Sequence, residues 1–173
     1  MKVNFKPVQK LKPLELIERK NLESVEVWSI ASKNLQKARV AERQIEGFER
    51  NVDLPVNVKN VKYENTFSPG SSFNVALRFE NCALGASSLG EKGKPAEEVG
   101  KKAALEIKKS LESKACFDKH MSDQILPFLA LAEGKSKIKI EEFTEHVITN
   151  IKVIELMLER KFEIDKENRI ISL

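Results

Sequence analysis

Residues 73–80 read Phe-Asn-Val-Ala-Leu-Arg-Phe-Glu, with Phe73, Val75, Leu77 and Phe79 alternating with Asn74, Ala76, Arg78 and Glu80. Successive side chains of a strand point to opposite faces, so this run has one apolar face and one polar face. It must lie as a half-buried strand against a second layer. It is the clearest strand in the chain. Ser24 to Ile30 (SVEVWSI) reads as another, rich in β-formers. Lys33 to Arg50 reads as helix, with Leu35, Ala38, Ile45 and Phe48 on one stripe and Arg39, Arg43 and Glu46 outside it; Asn51-Val52-Asp53 ends it. Val56 and Val58 start an alternation whose phase slips before Val61 and Tyr63, which predicts a bulge near Asn60. Ser68-Pro69-Gly70 is a turn.

The segment GASSLGEKGKPAEEVG, Gly85 to Gly100, is punctuated by glycine and reads as a flexible strand-to-helix loop. Gly85 and Gly90 have the spacing of a phosphate-binding loop, but Glu91 stands where that loop needs a lysine, and no hydroxyl residue follows. The match fails, although free N–H groups before Pro95 can still face an anion. Pro95 suits a first helical position and Glu97 and Glu98 a first turn; Val99, Ala103, Ile107 and Leu111 form the stripe that follows. Residues 18–115 therefore read as β-α-β-β-α.

The rest of the chain reads differently. A helix is expected over about 118–133, a strand over 137–143 with Ile138 and Ile140 inward, and a helix over 146–159 with Val147, Ile151, Ile154 and Leu158 on one face. Phe162 and Ile164, then Ile170 and Leu173, flank the turn Asp165-Lys166-Glu167-Asn168 as a hairpin. Residues 2–9, where Val3 and Phe5 oppose Lys2, Asn4 and Lys6, are expected to add a strand to the same sheet.

With 173 residues and 41% hydrophobic content, the chain can bury a core in one domain or two small ones, which argues against disorder. Thirty basic against 26 acidic residues leave a charge of +4, an excess that permits RNA or nucleotides as partners without requiring them. The longest apolar run, Ile125 to Ala132, is 8 residues and contains Pro127, so no membrane helix is expected. The opening MKVNFKPVQK has no apolar stretch of the kind a secretory signal needs. Cys82 and Cys116 form no CxxC, and with His120 and His146 they give no zinc spacing. Both are expected to be reduced core residues of a cytoplasmic protein.

Two polar clusters can carry chemistry. His146 falls at the start of the last long helix, where the peptide dipoles present their positive end. A neutral imidazole nitrogen is a competent nucleophile, and the free N–H groups there can hold a phosphate. Thr149 and Asn150 lie over the same face. A histidine so placed can equally be a capping or surface residue. His120, Asp123 and Gln124 share a helical face, and Pro127 cannot donate to the carbonyl of Asp123. That leaves a bare acceptor suited to a ribose or base; the plain alternative is a kinked core helix with a polar first turn.

GASSLGEKGKPAEEVG (85–100), HMSDQILPFLALA (120–132) and TEHVITNIKVIE (144–155), with AERQ (41–44) and SPG (68–70), resemble the C-terminal part of the RNA 3'-terminal-phosphate cyclase family. The HxxDQ and HxxTN elements at this separation are the most specific part of the resemblance. It implies an α+β (α/β sandwich) architecture: a large domain of repeated βαβαββ units with an inserted small thioredoxin-like β-α-β-β-α domain. Residues 18–115 match the insert, and residues 1–17 and 116–173 match the end of the large domain.

The resemblance also implies an ATP-dependent reaction. A histidine attacks the α-phosphate of ATP and releases pyrophosphate. The AMP passes to an RNA 3'-phosphate, and the adjacent 2'-hydroxyl closes a 2',3'-cyclic phosphate. His146 corresponds to the nucleophile. His120, Met121, Ser122, Asp123 and Gln124 correspond to the nucleotide-binding stretch, with Asp123 and Gln124 on ribose and base and His120 under adenine. A divalent metal, Mg or Mn, is implied, but its acidic ligand and the phosphate-binding arginines belong to an N-terminal half that this sequence does not match. Loss of one preorganised donor costs roughly 3 kcal/mol. This half is therefore expected to be nearly inert alone: either one part of a split cyclase that pairs with a separate N-terminal half, or a truncated product that no longer catalyses. The competing readings are a non-catalytic cyclase-like ribosome-assembly protein, disfavoured by His146, and a plain RNA-binding module, which lacks the aromatic runs expected on its strands.

Overall fold

The computed structural model describes every residue except 1, 2, 5 and 8. The chain divides into two compact units, Arg19–Lys114 and the pair of segments Met1–Glu18 and Ala115–Leu173. The expected strand over 2–9 falls partly outside the described residues. Its described members carry no strand, and β1 forms instead at Glu15–Leu16.

In the Arg19–Lys114 unit the order is β2 (Leu22–Ser32), a 3-10 turn (Lys33–Ala38), α1 (Val40–Glu49), β3 (Val58–Glu64), β4 (Ser71–Phe79), β5 (Ala83–Leu89) and α2 (Ala96–Glu112). The sheet order is β3-β2-β4-β5, with β2 and β3 parallel and the other pairs antiparallel. The clear strand holds: Phe73, Val75 and Leu77 are buried, beside Val25 and Val27 of β2 and Leu84 of β5. Ile45 and Phe48 of α1 and Val99, Ala103 and Ile107 of α2 close the same core. The Phe48 and Phe73 rings pack with centroids 5.4 Å apart.

Three expectations change. The helix over 33–50 is broken at Arg39, which takes a left-handed conformation (φ 51°) between the 3-10 turn and α1. No bulge forms at Asn60, since the β2–β3 register runs without a shift from Glu26–Val58 to Ser32–Glu64. β3 is an edge strand whose side chains are almost all exposed, so a phase slip there moves nothing into or out of a core. The glycine-rich stretch is no simple loop, because its first part is β5, paired to β4 from Arg78–Ala83 to Ser72–Leu89. The unit is thus β-α-β-β-β-α. The helices α1 and α2 meet through main chain: a Cβ at Gly47 would fall on the Glu97 carbonyl, and one at Gly100 on that of Gln44.

The second unit holds β1, α3 (Met121–Gln124), α4 (Leu126–Leu131), β6 (Lys137–Lys139), α5 (Glu145–Leu158), β7 (Glu163–Asp165) and β8 (Ile170–Ser172), with sheet order β1-β6-β8-β7. Ile138, Ile140 and Ile171 of the sheet region are buried, as are Leu126 and Leu129 of α4 and Val147 and Ile151 of α5. The helix expected over 118–133 is two short helices separated at Ile125, because Pro127 removes a donor from the ladder. The strand expected over 137–143 stops at Lys139, followed by a single bridge between Ile140 and Phe117. The hairpin closes as expected, with Ile164 opposite Ile171.

Candidate nucleotide and histidine site

The start of α5 is built by a cap. Thr144 is extended and its hydroxyl accepts from the N–H of Val147 at 3.2 Å. His146 sits in the first turn that follows, exposed, between the exposed carboxylate residue Glu145 and buried Val147. Among the described residues its ring has no hydrogen-bond partner. The cap satisfies one of the free amides of the turn and leaves those of Glu145 and His146 facing outward.

The HxxDQ stretch is shaped by Asp118, whose Oδ1 accepts from the N–H of His120 at 3.0 Å and of Met121 at 2.8 Å. Sequence reasoning missed Asp118; an aspartate three residues ahead of a short helix is the available signal. Ser122 is fully buried and its hydroxyl donates to the Asp118 carbonyl at 2.6 Å. His120, Met121 and Gln124 are exposed and Asp123 is half-buried. Among the described residues the side chains of Asp123 and Gln124 have no hydrogen-bond partner.

The Asp123 carbonyl, expected to be bare, is not. It accepts from Asn150 Nδ2 at 3.4 Å. Asn150 is one turn of α5 beyond His146, about 6 Å along the helix axis and on the same face. The structure thus brings the HxxTN helix against the HxxDQ turn. Clefts of about 610 and 390 Å³ lie elsewhere, the first in the Arg19–Lys114 unit and the second beside Lys137 and Lys161. Among the described residues no group of three or more His, Cys, Asp or Glu could hold a metal ion. No helix among them is long and apolar enough to cross a membrane.

Comparison with known proteins agrees with the residues quoted above. The family model described as RNA 3'-terminal phosphate cyclase matches residues 1–164. The RNA 3'-terminal phosphate cyclase of Pyrococcus furiosus is 40% identical over 86% of this chain and 45% of its own length. That of Caldivirga maquilingensis is 34% identical over 100% of this chain and 51% of its own. That of Thermococcus onnurineus is 36% identical, over 93% and 47%. The chain spans about half the length of the curated relatives it matches. A match over nearly the whole chain, with the HxxDQ turn and the HxxTN helix in contact, places this protein in the RNA 3'-terminal phosphate cyclase family.

Proposed function

We propose that this chain supplies the nucleophile and the nucleotide-binding turn of a cyclase that converts an RNA 3'-phosphate to a 2',3'-cyclic phosphate with ATP, completed by an N-terminal half on a separate polypeptide. The observation that carries this reading is the Asn150–Asp123 contact, which holds exposed His146 on the same helical face as the turn bearing Asp123 and Gln124. A ring nitrogen of His146 attacks the α-phosphorus of ATP, and the bond to pyrophosphate breaks. An oxygen of the RNA 3'-phosphate then takes the AMP and frees the imidazole. The 2'-hydroxyl attacks the same 3'-phosphorus, loses its proton to solvent and expels AMP. Asp123 and Gln124 hold ribose and base, and Ser122 keeps the turn in shape from inside.

The test mixes the chain with an N-terminal cyclase half and ATP labelled at the α- or the γ-phosphate. Protein-bound label from the α-position only, lost in His146→Ala, is the expected result. Absence of label in the mixture overturns the proposal.

A further inference from the structure

The three stretches of the Arg19–Lys114 unit that carry the family resemblance converge on one place that the histidine chemistry leaves unused. Arg43 and Gln44 of AERQ, Pro69 and Gly70 of SPG, and the Gly90–Pro95 loop line a single cleft of about 610 Å³, a size that accommodates a small ligand. Its floor is fixed. Gln44 is fully buried; it accepts from the Ser29 hydroxyl at 2.6 Å and donates to Ser71 Oγ at 2.8 Å, so the Ser71 hydroxyl proton stays available at the cleft. Arg43 is held on one wall by two parallel bonds to Glu97, at 2.8 and 2.9 Å. Leu35, Val40 and Val99 supply an apolar wall. On the loop across the mouth stand Lys92 and Lys94, neither of which has an ion-pair partner among the described residues. Two residues before Pro69, Phe67 projects its ring fully into solvent (113% of its reference exposure), which no core requirement explains.

We infer that this cleft binds one nucleoside monophosphate unit of a single-stranded RNA. The two ammonium groups meet the phosphate, the Ser71 hydroxyl and apolar wall receive sugar and base, and Phe67 stacks on the neighbouring base. Cationic groups beside an exposed ring are the recurrent chemistry of single-strand recognition. Bases supply π-faces of any sequence, so the site grips RNA without selecting it. The site is independent of His146: it positions a strand, and the histidine reacts.

Fluorescence anisotropy of a fluorescein-labelled hexauridylate on the full chain tests this. The double variant Lys92→Ala/Lys94→Ala should weaken binding about tenfold and flatten the dependence of log K on log salt by about 0.7, the value for one single-strand phosphate. Lys92→Arg/Lys94→Arg should retain both. Phe67→Ala should also weaken binding about tenfold without altering the salt slope. His146→Ala should bind as the unaltered chain does, which separates failure here from failure of the histidine chemistry. AMP that competes as well as the oligomer assigns the cleft to a free nucleotide and overturns the strand assignment. Unchanged binding in the double lysine variant, or no binding by the unaltered chain, overturns the site.

Discussion

The side-chain amide of Asn150 donates to the main-chain carbonyl of Asp123, the carbonyl that Pro127 deprives of its helical donor. One polar side chain on α5 thereby repairs the defect that a proline makes in the neighbouring helix. Asn150→Ala should cost about 1 kcal/mol, read as faster amide hydrogen exchange over residues 121–131. Pro127→Ala restores an N–H at the proper place. The pair Asn150→Ala/Pro127→Ala should therefore recover most of the lost protection, and a double variant no better than Asn150→Ala alone would show the contact to be incidental.

Tyr63 caps α1 from a strand. Its hydroxyl accepts from the Ala41 N–H at 3.1 Å and donates to Glu42 at 2.6 Å, while the helix has no side-chain cap of its own. Burial and the Glu42 carboxylate hold the phenol above its ordinary range, and the same bond holds Glu42 below the usual carboxylate range. Tyr63→Phe should destabilise the Arg19–Lys114 unit by about 1–2 kcal/mol. Urea denaturation followed by Trp28, the single tryptophan and a β2 residue, measures it.

The bidentate bond from Arg43 holds the Glu97 carboxyl below its ordinary value. The unfolded chain therefore binds that proton more tightly than the folded one. The stabilisation is complete above the unfolded carboxylate range and is lost as pH falls through the lowered folded value. The two side chains are 38% and 32% exposed, so solvent screening keeps the contribution below about 1 kcal/mol. Glu97→Gln should lower the Trp28 denaturation midpoint slightly at pH 7 and not at all in strong acid. An equal loss at both would assign the effect to packing.

The helices α4 and α5 leave large apolar side chains in solvent: Leu156 is 84% exposed, Met157 74%, Leu131 58% and Phe128 56%. Leu156 and Met157 lie well outside the buried stripe of Val147, Ile151 and Ile154. On the proposed two-part cyclase, this apolar surface belongs against the N-terminal half. Leu156→Lys/Met157→Lys should abolish co-purification with that half while the circular dichroism of the chain is retained. Undiminished association would place the contact elsewhere.

Legibility followed side-chain contrast. Phe73 to Phe79 alternates strongly, and the stripes of α2 and α5 repeat without interruption, so those elements could be read directly. β5 could not: Gly85, Ala86, Ser87 and Ser88 offer no apolar contrast, and their pairing with β4 decides their conformation. Arg39 gives no sign of breaking a helix, because the break is a backbone conformation (φ 51°) that arginine rarely adopts. At the site, the position of His146 in a first turn was legible from the pattern. The partner of the Asp123 carbonyl was not, since Asn150 lies 27 positions further along the chain. The cleft near Lys92 was still less so, because three separated segments wall it.

Arg19, where the Arg19–Lys114 unit begins, donates to the carbonyls of Ser110 and Leu111, at 3.3 and 2.7 Å, where α2 ends. Entry and exit of that unit are thus clasped together. On the other side of the junction, β1 and β6 are parallel neighbours, with Leu16 opposite Ile138. To the sheet, everything from 19 to 114 is a detour that returns to its starting point, and closing such a detour grows costlier only slowly with its length. The Arg19–Lys114 unit should therefore behave as a detachable module: a short linker in its place is expected to leave the parallel pairing of β1 and β6 intact, and the excised piece to keep its own clasp.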